Sequence, residues 1–201
     1  MPLDAPLDVP DTRAQLFRRA IVAGGAIIGG ATTWGLPQLT SAASQEQDAR
    51  VLNLVLAIEY TEAAFYREAL DRGGLQGDLE AYAKIVVEHE KAHLAFLKKA
   101  LGSAADPAPS HDFGGRTKDS DAFTAAAVTL EDLAVATYNG QAVNLTPASL
   151  KAAARIVSVE ARHAAWIRSI AGDVPATDAT DPAVKEAETR ARLSDFGWKA
   201  A

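Results

Sequence analysis

The chain of 201 residues contains no cysteine. That excludes a disulfide scaffold, a zinc finger, a cysteine-ligated iron–sulfur cluster and a cysteine nucleophile. Aromatic residues are scarce, at 6%, while alanine is abundant, which favours closely packed helices over a β-sandwich. A basic patch is also lacking. The 20 Lys and Arg are scattered among 26 Asp and Glu, the net charge is −6 and the isoelectric point is near 5.2. No nucleic-acid partner is expected from such a balance. The sequence has a single long apolar run, Ala20 to Leu36. With 48% hydrophobic and 23% charged residues, the remainder has the composition of one globular domain of ordinary size.

That apolar run belongs to a segment, residues 1–43, that reads as an address. Arg13, Arg18 and Arg19 precede it, Pro37 breaks it, and the small residues Ser41-Ala42-Ala43 follow. Charged, apolar, small is the order of a secretory signal. The Arg18-Arg19 pair and the glycine-diluted apolar part resemble a twin-arginine export signal, although Ile21 stands where that pattern has Phe. Cleavage and an extracytoplasmic location, in the periplasm or cell envelope, are expected. The alternative is a retained membrane anchor. The run of 17 residues, interrupted by Gly24, Gly25, Gly29 and Gly30, is short for a span. The segment holds three Asp and three Arg, so its removal leaves the net charge at −6.

Residues 44–171 read as four helices. The first starts at Ser44, where Ser44-Gln45-Glu46-Gln47 has the form of a capping box, and runs to about Leu70 before Gly73-Gly74. The second starts after Asp78 as N-cap and runs to about Leu101 before Gly102. A link of about 18 residues, Gly102 to Asp119, leads to a third helix, Ser120 to Ala142. The fourth opens at Thr146-Pro147 and runs to about Ala171. The long second link predicts an all-α four-helix bundle in which one connection crosses the full length. The tail, residues 172–201, holds at most one short helix, Pro182 to Leu193. No strand of useful length is expected.

Each helix carries ionisable residues in its apolar stripe. In the second, Leu79, Ala83, Val86, Leu94, Leu97 and Leu101 bracket Glu90 and His93. In the fourth, Leu150, Ala153, Ile156, Ile167 and Ile170 bracket Glu160 and His163. The first has Glu59 after Leu52 and Val55, with Tyr66 two turns on; the third has Glu131 after Phe123 and Ala127, then Tyr138. These residues form a repeat. Glu59 to Tyr66 and Glu131 to Tyr138 are both seven residues, and Glu90-x-x-His93 matches Glu160-x-x-His163.

Four carboxylates meeting in an apolar core repel one another unless their pKa values rise or cations join them. Two divalent metals balance four carboxylates, and Glu and His at i and i+3 project from one helix face. Two Glu helices facing two Glu-x-x-His helices supply the ligand set of di-iron and di-manganese carboxylate bundles. Oxygen-rich ligands with one imidazole per metal favour iron or manganese over copper. The competing reading is a hydrated polar layer paired with Arg or Lys, but none lies on these stripes near the layer. Glu62, one turn after Glu59, is expected on a solvated flank rather than as a seventh carboxylate. His89 is expected at the surface and His111 exposed in the long link. Trp166 is expected in core or edge packing.

The stretches Leu54-Val55-Leu56-Ala57-Ile58-Glu59-Tyr60-Thr61-Glu62-Ala63-Ala64-Phe65-Tyr66 and Leu130-Glu131-Asp132-Leu133-Ala134-Val135-Ala136-Thr137-Tyr138-Asn139-Gly140 resemble the ferritin-like superfamily, and within it the exported ferritin-like and desiccation-related proteins. The resemblance covers about residues 45–171. It implies metal ligation by Glu59, Glu90, His93, Glu131, Glu160 and His163; Tyr66 and Tyr138 are expected as hydrogen-bond partners of these ligands, as carriers of redox equivalents or as core tyrosines. It also implies two iron ions, or two manganese ions, acting on dioxygen or hydrogen peroxide in ferroxidase or protective chemistry. A metal-binding or structural stress protein of the envelope without turnover is the alternative. A homo-oligomer is compatible with either reading.

Overall fold

The computed structural model describes residues 45–200. The export-signal reading of residues 1–43 and the Ser44 cap lie outside them. The described residues fold as an all-α bundle: α1 Gln45–Arg72, α2 Gly77–Leu101, α3 Ser120–Gln141, α4 Pro147–Ala171 and a short α5, Glu186–Asp195. No described helix is long and apolar enough to cross a membrane.

Local chemistry accounts for most helix ends. The Asp119 side chain accepts from the amide of Ala122 and caps α3; Thr146 accepts from Ser149 and caps α4, with Pro147 in the first turn. Helix α2 departs from expectation. It begins at Gly77 after an extended Gln76 that makes no side-chain cap, so Asp78 is a first-turn acid rather than the N-cap. Asp48 in the first turn of α1 accepts from the Thr146 amide (2.8 Å) and from the hydroxyls of Thr146 and Ser149 (2.5 Å each). That clamp joins the start of α1 to the start of α4.

The core has two ends with the polar layer between them. One is aromatic: Phe65, Tyr66, Tyr82, Phe113, Phe123 and Phe196. The other is largely aliphatic, built from Val51, Leu52, Val55, Leu56, Leu97, Leu101 and Ile156 around Tyr138. Leu150, expected to face inward, is 40% exposed, while Leu145 just before α4 fills that end of the core.

The link between α2 and α3 and the C-terminal tail hold each other. Strand β1, Ser110–His111, pairs antiparallel with β2, Trp198–Lys199, in a ladder too short to leave a sequence pattern. Phe113 enters the aromatic core, 2% exposed. His111, expected to be exposed, is half-buried: it stacks on Phe113 and shares a hydrogen bond with the Thr61 hydroxyl (3.1 Å). The tail helix begins later than predicted because Val184 is pinned in an extended strap. Its amide donates to the Ala136 carbonyl (3.0 Å), and it lies so close to Gly140 that a Cβ there would stand 1.9 Å from the Val184 carbonyl oxygen. From there Leu193 packs with Ala57, Ile58, Leu133, Ala134 and Ala136, covering the α1–α3 flank.

Candidate metal centre

All six residues singled out by the stripes converge in one buried layer. Glu59, Glu90, Glu131 and Glu160 are 0% exposed, His163 is 2% and His93 is 9%. The Nδ1 of His93 lies 3.1 Å from Glu59 Oε2, 3.2 Å from Glu90 Oε2 and 2.8 Å from Glu160 Oε1. The Nδ1 of His163 lies 3.3 Å from Glu90 Oε1, 3.6 Å from Glu131 Oε2 and 3.3 Å from Glu160 Oε2. Glu90 and Glu160 therefore each turn one oxygen toward each imidazole.

The pairings show how the repeat folds. Glu59 meets Tyr138 and Tyr66 meets Glu131, so α1 and α3 run antiparallel. Likewise His93 meets Glu160 and His163 meets Glu90, so α2 and α4 run antiparallel. Seven residues are two helical turns, about 10 Å. Each Tyr is thus carried past its own glutamate and reaches the glutamate of the opposite helix. The Tyr138 hydroxyl donates to Glu59 Oε1 (2.6 Å) and the Tyr66 hydroxyl to Glu131 Oε1. Burial raises the pKa of both phenols well above the ordinary tyrosine value, so they stay neutral donors.

Three residues join this layer that the stripes left out. Glu62 is 0% exposed, not solvated, because it points to Glu131 and Glu160 rather than outward. Tyr82 is fully buried and donates to the same Glu131 Oε1 (3.2 Å); its place eight residues before Glu90, just over two turns, was the available signal. His89 is exposed as expected, yet its Nδ1 is 2.8 Å from Nε2 of His163. Trp166 is an edge residue, 37% exposed, with its ring against Tyr82.

The layer is electrostatically incomplete. Both oxygens of Glu62 are buried without a partner, and the oxygens of Glu160, Oε1 of Glu90 and Oε2 of Glu131 face imidazole Nδ1 atoms without an aligned hydrogen bond. Burial and the charge of Glu160 hold the Glu59 carboxyl well above its ordinary pKa; burial and the charge of Glu131 do the same for Glu62. Burial raises Glu131 to about 7, the neighbouring His163 opposing it. Burial would also raise Glu90, but His163 and His93 outweigh it and bring the carboxyl to about 2. Desolvation would depress both imidazoles, yet the surrounding carboxylates push each up to about 12. Protons are doing in part what cations do better: unpaired buried oxygens beside imidazole Nδ1 atoms are a fit to hard divalent metals. Three groups have donor atoms all within 4.8 Å of one another: Glu59, Glu90, His93 and Glu160; Glu90, Glu131 and His163; Glu62, Glu131 and Glu160.

The family model of the ferritin-like domain matches residues 47–173. The chain belongs to the ferritin-like family. No curated protein matches it. Among the described residues, the acidic and histidine groups capable of holding a metal lie within the matched span of this ferritin-like bundle, on α1 to α4. The tail that packs over the α1–α3 flank lies outside the match. On the opposite flank a pocket of about 430 Å³ opens between α2 and α4, lined by His89, Ala92, His93, Val159, Arg162, His163 and Trp166. Of the six residues marked by the stripes, the four carboxylates are fully buried, while the two imidazoles keep a little exposure and both line this pocket.

Proposed function

We propose that this ferritin-like protein binds a dinuclear iron or manganese centre and uses it in redox chemistry on dioxygen or hydrogen peroxide, as a ferroxidase or a protective oxidase. One observation carries the reading: two buried imidazole Nδ1 atoms each face three carboxylates, and Glu90 and Glu160 present one oxygen to each. Glu59 and His93 would serve one metal, Glu131, His163 and Glu62 the other, with Glu90 and Glu160 shared. Iron or manganese held there would supply the electron exchange with dioxygen or peroxide that no side chain of this chain offers. The protein's part is orientation and exclusion of water. Tyr138 holds Glu59, and Tyr66 with Tyr82 hold Glu131, each through Oε1, leaving Oε2 turned to the nearby imidazole. The carboxylates, 0% exposed, are screened from bulk solvent.

That same enclosure favours a second reading, metal held for stability without turnover. Elemental mass spectrometry of the purified chain, beside a Glu90→Ala/Glu160→Ala double variant, tests both at once. About two iron or manganese per chain, lost in the variant, is the expected result; a folded protein that takes up no metal refutes both readings. Ferrous loading followed by air then separates them. A ferric absorption band with oxygen consumption marks the oxidase, and its absence marks the static centre. Export through the twin-arginine route accompanies this proposal, since that route carries folded, metal-loaded proteins. Arg18→Lys/Arg19→Lys should strand unprocessed precursor in the cytoplasm; normal export would refute this part.

A further inference from the structure

The internal repeat allows each half of the layer to be compared with the other, position by position. Adding 72 to an α1 number gives its counterpart on α3, and adding 70 to an α2 number gives its counterpart on α4. Glu59 maps to Glu131, Tyr66 to Tyr138, Glu90 to Glu160 and His93 to His163. Three residues of the layer break the rule. Glu62 maps to Ala134, Tyr82 to Ala152 and His89 to Val159.

All three breaks fall on the same side. Glu62 is grouped with Glu131 and with the shared Glu160, and not with Glu59 or His93. Tyr82 adds a second phenol to Glu131 Oε1 and touches the His163 carbonyl (3.4 Å). His89 bonds Nε2 of His163, its ring nearly parallel to that of His163 at 14°. On the other side Glu59 has one phenol, Tyr138, and the hydrogen bonds and ion pairs of His93 with described side chains all run through Nδ1. The residue placed to mirror His89 is Val159, which offers no donor or acceptor.

We infer that the two metal positions are unequal: the one served by Glu131, His163 and Glu62 binds its ion more tightly and fills first, with His89 as a positioning residue for His163. This rests on the dinuclear reading above. An additional carboxylate without a partner raises the attraction for a divalent ion at that position alone. When His163 Nε2–H donates to His89 Nδ1, the tautomer is fixed with the Nδ1 lone pair free toward Glu90, Glu131 and Glu160. His93 has no such partner among the described residues, so its ring must be ordered when the ion arrives.

The test is a cobalt(II) titration of the metal-free full-length protein, followed by visible absorption and calorimetry. The wild-type chain should bind about two ions in resolved steps, the first at least about ten-fold tighter. Glu59→Ala should abolish the second step and spare the first. Glu62→Gln should weaken the first step about ten-fold, and His89→Ala should do the same, with His89→Gln restoring part of the loss. Val159→His, which builds the missing mirror imidazole into the pocket, should tighten the second step about three-fold and narrow the gap. Far-UV circular dichroism and melting curves confirm that each variant folds. Two equal steps in the wild type overturn the inequality, and a gap unmoved by Glu62→Gln and His89→Ala overturns its assignment to those residues; either leaves the dinuclear reading intact. A wild-type chain that binds no cobalt overturns both.

Discussion

The two flanks of the bundle are treated differently by the rest of the chain. Across α1 and α3 the tail straps over a seam of small and aliphatic residues, with Leu193 1% and Val184 7% exposed. Across α2 and α4 nothing among the described residues covers the seam. Ile85, Phe96 and Trp166 are 44%, 37% and 37% exposed, and a pocket leads down to His93 and His163. The lesson is a division of labour. The four helices of the ferritin-like match carry the polar layer, while a segment outside the match covers one of its flanks.

Replacing residues on opposite flanks should break this contrast most visibly. Leu193→Ala should cost about 3 kcal/mol of stability by undermining the strap, and Trp166→Ala less than about 1 kcal/mol, as read by urea denaturation. Equal losses would mean that the tail merely rests on the bundle. The tyrosines sharpen the contrast within the layer. Tyr138→Phe leaves Glu59 Oε1 without its hydroxyl donor, whereas Tyr66→Phe leaves Tyr82 still bonded to Glu131. The first should cost about 2 kcal/mol and the second about 1 kcal/mol in the metal-free protein.

Acidity gives a third handle. The imidazoles of His93 and His163, at about 12, and the Glu131 carboxyl, at about 7, all hold protons more tightly folded than unfolded. Stability from such groups is complete below their unfolded pKa values and lost as pH rises toward the folded ones. The metal-free protein should therefore melt about 5 °C lower at pH 9 than at pH 6. Glu90, depressed to about 2, acts in the opposite sense only in strong acid. Bound cobalt displaces these protons, so the loaded protein should lose less over the same range. A parallel fall in both forms would refute the link between protons and metal. The smallest effect is kinetic. Ala92→Trp, filling the open pocket, should slow cobalt uptake about three-fold in stopped flow with little change in melting temperature; an unchanged rate would place entry elsewhere.

Much of this architecture was legible from periodicity. Apolar spacing located the four helices within a few residues, and the polar interruptions of those stripes marked the six residues that meet in the layer. Glu62 escaped because it sits at the stripe's edge, where a 3.6-residue period cannot separate an inward from a flanking position. Only the packing of α3 against α1, with Glu160 of α4 facing it across the bundle, settles it. His89 is exposed, as its place off the stripe implies; its hydrogen bond depends on the distance between two helices. His111 and the β1–β2 ladder involve residues about 90 apart, with two-residue strands that carry no local signal.

The repeat of Glu, Glu-x-x-His and Tyr by itself determined which side chains could meet, since helical geometry puts residues three, four and seven apart on one face. Tertiary structure decided what each of them meets. The antiparallel pairings sent each Tyr to the other half's Glu, brought Glu62, Tyr82 and His89 to one side, and closed one flank under the tail. Those outcomes depend on helix register and on contacts between distant segments, which a local pattern does not encode.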